Sequence, residues 1–288
     1  MEANWKDCYV EVDGIETHYI EAGSGDPVVL IHGGGAASCG AVNYGDVMEP
    51  LSEHFRVIAP DVVGFGETPG RGPEDYPADV QGDFLVKFLE TLDLNAHVGG
   101  NSHGGWLAQY VAHECPERVR RLIIINSLNG SNPLPPAPEG RKYIYGPEGH
   151  AHEEPTLEGT REKLREFYYD ELLVTDDRVE LHYRMANRNH EFAESRDKAI
   201  NSSIEDANEN LEYKGAHISE HASELKMPVL LTWSRENRGA TPADALSLFN
   251  RIDDAEMHVL TNAKHHVQAE HPERWSEIVR SFLQSERN

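Results

Sequence analysis

Val98-Gly99-Gly100-Asn101-Ser102-His103-Gly104-Gly105-Trp106 is the most informative stretch of this chain. A run leaning apolar ends in a Gly-x-Ser-x-Gly box, Gly100 to Gly104, and the helical pattern Trp106-Leu107-Ala108-Gln109-Tyr110-Val111-Ala112 follows at once. The order is strand, sharp turn, helix. A serine at such a turn holds a strained backbone conformation, needs small neighbours on both sides, and presents its Oγ at the top of a sheet. A bare five-residue pattern also arises by chance in a Gly/Ser-rich loop, so the flanking chain has to discriminate.

On the N-terminal side, Pro27-Val28-Val29-Leu30-Ile31 is a short continuous apolar run, the pattern of a strand buried on both faces of a parallel sheet. It leads into His32-Gly33-Gly34-Gly35. Three consecutive glycines cost backbone entropy and suit close approach of the backbone to a ligand or a second loop. Phe55 to Asp61 repeats the buried-strand pattern and opens into a glycine-punctuated loop ending at Thr68. Helical patterns lie around Asp46 to His54 and over Ala78 to Leu92, the latter with Phe84, Leu85, Phe88, Leu89 and Leu92 on one face. Before all of these, Cys8 to Val12 and Ile15 to Ile20 flank Asp13-Gly14 as an antiparallel hairpin.

Beyond the box, Pro116-Glu117-Arg118 breaks the chain and Val119 to Ile125 predicts another strand. The strands Met227 to Trp233 and Ala255 to Leu260 then alternate with helices over Ala243 to Phe249 and Pro272 to Leu283. Such alternation means an α/β fold with a mostly parallel sheet flanked by helices. Character changes near Asn129: proline, glycine and charge dominate Ser131 to Glu154, and sparsely apolar helical patterns run on to about Glu220. Residues 1–128 and 223–288 therefore read as one core, and 129–222 as an inserted helical lid.

The charge of −24, from 50 acidic against 26 basic residues, repels phosphate backbones and argues against a nucleic-acid partner. With 18 arginines and only 8 lysines, the acidic surface also has the composition of a salt-adapted protein. No apolar run approaches the ~18 to 20 residues of a membrane span. The first residues have neither a basic segment nor an apolar one, which gives an expectation of a cytoplasmic protein. Cys8, Cys39 and Cys115 lack metal-type spacing and are odd in number, so they read as free thiols. His150 and His152 have no evident third and fourth ligand, and the glycines after His32 lack a nucleotide-binding spacing. The expectation is a small-molecule enzyme with neither metal nor cofactor. Self-association into a homo-oligomer is left open.

A serine hydroxyl needs a base within reach, a group to orient that base, and donors for the developing oxyanion. Ala263-Lys264-His265-His266, in the loop after the last strand, supplies candidate bases in the chain order Ser, acid, His. Backbone N–H groups of His103 and of Gly33 to Gly35 are the natural oxyanion donors.

His32-Gly33-Gly34-Gly35, Asn43-Tyr44, Phe55 to Asp61 with Gly64-Phe65-Gly66, the Ser102 box through Trp106, and His265-x-x-Gln268-x-Glu270-His271-Pro272 together resemble the α/β-hydrolase fold. More narrowly, they are similar to its meta-cleavage-product hydrolases, which hydrolyse carbon–carbon bonds of vinylogous diketo acids in aromatic catabolism. The resemblance implies Ser102 as nucleophile, His265 rather than His266 as base, and oxyanion donors from Gly34 and His103. It makes Asn43 and Asn101 polar pocket residues, and His266 a pocket wall or a surface residue.

Three positions depart from the family pattern. The triad aspartate is replaced by Asn237, with Glu236 adjacent as a substitute, and the alternative acid position of the fold holds Asn126. The lid arginine that grips the substrate carboxylate aligns with His182, leaving Arg184 or Arg188 as stand-ins. Ser102-His103-Gly104-Gly105-Trp106 also occurs in cofactor-free dioxygenases of this fold. The expected activity is serine-dependent cleavage of a C–C bond in a keto-enol substrate, by an acyl-enzyme or gem-diol route. An ester or lactone hydrolase is the nearest alternative, and a cofactor-free dioxygenase or lyase with histidine as base the more distant one.

Overall fold

The computed structural model describes residues 4–127, 155–188 and 220–286. Its eight strands are β1 (Lys6–Val12), β2 (Ile15–Ala22), β3 (Pro27–Ile31), β4 (Arg56–Pro60), β5 (Ala96–Asn101), β6 (Val119–Ile125), β7 (Val229–Ser234) and β8 (Ala255–Leu260). They form one sheet in the order β1-β2-β4-β3-β5-β6-β7-β8. The expected hairpin pairs antiparallel, β2 also runs antiparallel to β4, and every remaining pair is parallel.

Period-2 alternation inside the apolar runs gives each face of the sheet its own core. Val28 and Leu30 of β3, with Ile123 and Ile125 of β6, pack against Tyr44, Met48, Trp275 and Phe282. These belong to α1 (Gly40–Ser52) and, at the C-terminus, α8 (Pro272–Gln284). Val29, Ile31, Leu122 and Ile124 face Phe88, Leu107 and Val111, from α2 (Ala78–Thr91) and α3 (His103–Glu114). The helix α6 (Pro242–Phe249) adds Ala245 and Leu248 to that second face. Each fully buried Ile or Leu contributes roughly 1.5–3 kcal/mol relative to exposure. Helices on both faces explain why these strands carry no polar alternation.

Two boundaries differ from the sequence reading. α1 begins at Gly40, earlier than the pattern around Asp46 indicates, because its cap is unorthodox: the Cys39 sulfur accepts from the Val42 N–H at 3.5 Å, and the Gly40 N–H donates to Asp61 Oδ1 at 2.8 Å. After β8 a one-turn helix, α7 (Val267–Glu270), occupies what reads as loop.

Within the expected insertion, α4 (Leu157–Phe167), α5 (Asp176–Arg188) and the connection between them pack Leu164, Tyr168, Val174 and Val179 onto Ala269 of the core. Arg178 of α5 pairs with both carboxylate oxygens of Asp46 on α1 at 3.0 and 3.1 Å, and its guanidinium lies 4.9 Å from the Tyr168 ring centre. At the end of α5, Arg188 meets Glu67, which also accepts from the Tyr9 hydroxyl. His150 and His152 lie outside the described residues. Among the described residues no helix is long and apolar enough to cross a membrane.

Candidate active site

β5 ends at Asn101 and α3 begins at His103, leaving Ser102 at φ 56° and ψ −122°. A non-glycine residue at positive φ costs on the order of 1–3 kcal/mol and persists only where its surroundings enforce it. Here they do. The Ser102 N–H donates to Ile125 O at 2.9 Å, and its carbonyl accepts from the Gly105 N–H at 2.9 Å and from Ser127 Oγ at 2.6 Å. A Cβ at Gly100 would overlap the Gly104 carbonyl, and one at Gly104 would overlap the carbonyls of Ile31 and His32. The small neighbours expected of the box are thus required by backbone packed on backbone.

The glycine loop lies against this turn. His32 accepts the Val62 N–H on Nε2 at 2.9 Å, so its Nδ1 carries the proton donated to Gly33 O at 2.7 Å. A Cβ on Gly33 would stand 3.6 Å from Ser102 Cβ, and one on Gly34 3.2 Å from His103 Cβ. The His103 ring turns toward α2, where its Nε2–H donates to Gln81 Oε1 at 2.7 Å and its plane stacks on Trp106. It does not line the cavity above Ser102. His103 therefore offers the site its main chain at the N-terminus of α3, while its side chain is engaged elsewhere.

His265 comes from the loop between β8 and α7. The residue is half-buried with its Nδ1 fully enclosed, and desolvation pushes its imidazole down to about 4, so it is neutral at pH 7. The Phe167 ring lies 5.4 Å away and the His266 ring 5.1 Å. Its Nδ1 is buried without a hydrogen-bond partner. Neither acid candidate reaches it: Glu236 accepts from the Ala263 N–H at 3.3 Å, and Asn237 Oδ1 accepts from the Gly239 N–H at 3.3 Å while its Nδ2 is buried and unpartnered. The reason is local: the turn after β7 spends both side chains on backbone N–H groups.

Ser102, His265, His266, Asn43, Asn101, Gly33 and Gly34 share one cavity of about 110 Å³. Asn43 Nδ2 faces Asn101 Oδ1 at 3.4 Å, and Asn43 Oδ1 is buried without a partner. His266 is half-buried, and desolvation, then the neighbouring His265, His182 and Arg178, hold it well below the ordinary imidazole range. α5 contributes His182, whose buried Nε2 has no partner and whose pKa is pushed down to about 3 by burial and then by the charges of Arg178 and Lys163. Arg184, considered as a carboxylate contact, is instead exposed on α5 and outside the cavity lining, because only the 182/186 face of that helix turns inward.

The helical pattern over this span is expected from sequence, but no residue of α4 is singled out there for the site. Thr160, Lys163, Leu164 and Phe167 line the cavity, and their i, i+3, i+4, i+7 spacing was visible as one helical face. Lys163 is the cation of the cavity wall among the described residues.

A mostly parallel eight-stranded sheet whose fifth strand turns through a positive-φ serine into a helix is the architecture of the α/β-hydrolase fold. The chain belongs to the α/β-hydrolase fold family, which it matches over residues 26–272. It is 31% identical to a 2-hydroxy-6-oxo-2,4-heptadienoate hydrolase of Pseudomonas putida, across 95% of this chain and 94% of that one. It is 32% identical to a 2-hydroxymuconate semialdehyde hydrolase of Pseudomonas sp. strain CF600, across 94% and 91%. Among solved structures, the meta-cleavage product hydrolase CumD of Pseudomonas fluorescens IP01 superposes with a TM-score of 0.79 at 29% identity, covering 96% of this chain and 97% of that one.

Proposed function

We propose that this enzyme hydrolyses a carbon–carbon bond in a 2-hydroxy-6-oxo-dienoate-type substrate, with Ser102 and His265 as the working pair. One observation carries the reading: a single cavity brings together Ser102, a neutral imidazole, the glycine loop, and the lysine of α4. His265, neutral at pH 7, is available to assist ketonisation of the dienol and to take the Ser102 proton. The Gly34 and His103 N–H groups are the donors for the oxyanion, and water releases the acyl group or adds directly as a gem-diol. Asn43 and Asn101 contact the polar part of the substrate. His182 and Lys163 face its carboxylate from the insertion, which we read as a lid.

The names of the relatives favour C–C hydrolysis over the ester, lactone and dioxygenase alternatives. The reading places the enzyme among soluble catabolic proteins of the cytoplasm. Turnover of 2-hydroxy-6-oxo-2,4-heptadienoate, followed as loss of the conjugated absorbance, tests it. Wild type should consume the compound and Ser102→Ala should not. Full activity in Ser102→Ala, or ester cleavage with no dienoate cleavage in wild type, would overturn the proposal.

A further inference from the structure

His265 has no carboxylate on its buried ring nitrogen, so its position must be set by other groups. They are found on the main chain of its loop. The Lys264 N–H donates to Glu270 Oε1 at 2.7 Å, and the His265 N–H donates to Phe167 O at 3.1 Å. The carbonyls of both residues accept from Asn126 Nδ2, at 3.3 Å for Lys264 and 3.0 Å for His265, and Asn101 Nδ2 adds a second donor to His265 O at 3.3 Å. Every polar main-chain group of residues 264 and 265 is thereby tied. What remains to the imidazole is rotation about its side-chain bonds, bounded by the rings of Phe167 and His266.

Asn126 is the hub. It sits just beyond β6 at φ 44° and is 1% exposed. Its N–H donates to Thr232 O at 3.1 Å, its Oδ1 accepts from the Ser234 N–H at 2.8 Å, and its Nδ2 also reaches Ser234 Oγ at 2.9 Å. One side chain thus joins the ends of β6 and β7 to the histidine loop. The chemistry demands an amide: two carbonyl oxygens converge on the nitrogen end, and only an NH₂ group can donate to them while the other end accepts.

We propose that Asn126 is a positioning residue for His265, holding the histidine loop by its carbonyls and taking over the orienting task that a triad acid performs through the ring. The inference rests on the assignment of Ser102 and His265 as the working pair. It opposes a simple rival, in which Asn126 is an acid position that has lost its charge. Asn126→Asp separates the two. The rival expects the carboxylate to complete a triad and raise turnover. The positioning role expects a carboxylate facing two carbonyl oxygens to push the loop away, which displaces the base.

The test uses the full-length protein, with pseudo-first-order labelling of Ser102 by a fluorophosphonate and kcat and KM on 2-hydroxy-6-oxo-2,4-heptadienoate. Ser102→Ala and His265→Ala are measured first; labelling or turnover surviving at wild-type rates in either would show that the pair itself is wrong. With the pair established, Asn126→Asp should lose about 10²-fold in kcat and in labelling rate, the scale of a base misplaced by an ångström, with KM little changed. Asn126→Ser, which keeps the volume small and removes the NH₂ donors without adding charge, provides the same comparison if the aspartate variant does not fold. Either variant labelling and turning over as fast as wild type, or faster, overturns the proposal, as does a loss confined to KM.

Discussion

The imidazole of His265 should give this enzyme an unusually acidic base limb. Burial moves it from an ordinary value of 6.5 to about 4. At ~1.4 kcal/mol per unit, that is roughly 3 kcal/mol set against imidazolium. The sign follows from the role: a base must be neutral, so labelling of Ser102 is lost as pH falls through the folded-state value of His265. We expect a flat rate from pH 8 to about 5.5, declining only on approach to about 4. An imidazole held near its ordinary value would instead lose roughly tenfold per pH unit below about 6.5. His266 cannot counterfeit that limb, since it too is held well below the ordinary range. The assay is fluorophosphonate labelling in short pulses at constant ionic strength, read by intact mass, which is free of any ionisation of the dienoate. A limb with an apparent pKa between 6 and 7 would refute the reasoning and mean that a charge not seen beside His265 stabilises its protonated form.

The same burial has a cost in stability. His97 is lowered to about 4, His182 to about 3 and His265 to about 4, so each supports folding above the unfolded value near 6.5 and ceases to as pH falls through its folded value. Urea midpoints should therefore drop steadily from pH 6.5 toward 5, and a midpoint constant over that range would contradict the burial of these rings. Gly104→Ala should cost about 3 kcal/mol or more, because its Cβ meets the Ile31 and His32 carbonyls and no rotamer can relieve that overlap; an unchanged urea midpoint would show the elbow to be looser than described. Lys163→Met should raise KM for the dienoate by about tenfold, the scale of a lost charged hydrogen bond, while sparing hydrolysis of the uncharged p-nitrophenyl acetate; an equal effect on both would remove Lys163 from carboxylate recognition.

The parts of this molecule legible in its sequence are those fixed by local pattern. Buried strands such as Val28 to Ile31 and Leu122 to Ile125 are continuous apolar runs because helices cover both faces of the sheet. The Ser102 box is legible because the glycines are forced by main-chain overlap within a few residues. Lys163 was harder, since a lysine on a polar helix reads as solvated until the core beneath that helix is known.

The orienting group of His265 was beyond sequence patterns altogether. Asn237 stands at the expected position, yet its Oδ1 serves the Gly239 N–H, while Asn126 binds carbonyls 138 and 139 residues away along the chain. Backbone carbonyls carry no side-chain signature, so an amide that serves them looks like an acid that has been lost. The two substitutions, Asn at 237 and Asn at 126, therefore need not be two losses of the same function. With the loop held by its main chain, a charge at 237 is no longer needed to place the ring. What the missing carboxylate does remove is stabilisation of the imidazolium, and that part of the chemistry is the one the pH profile measures.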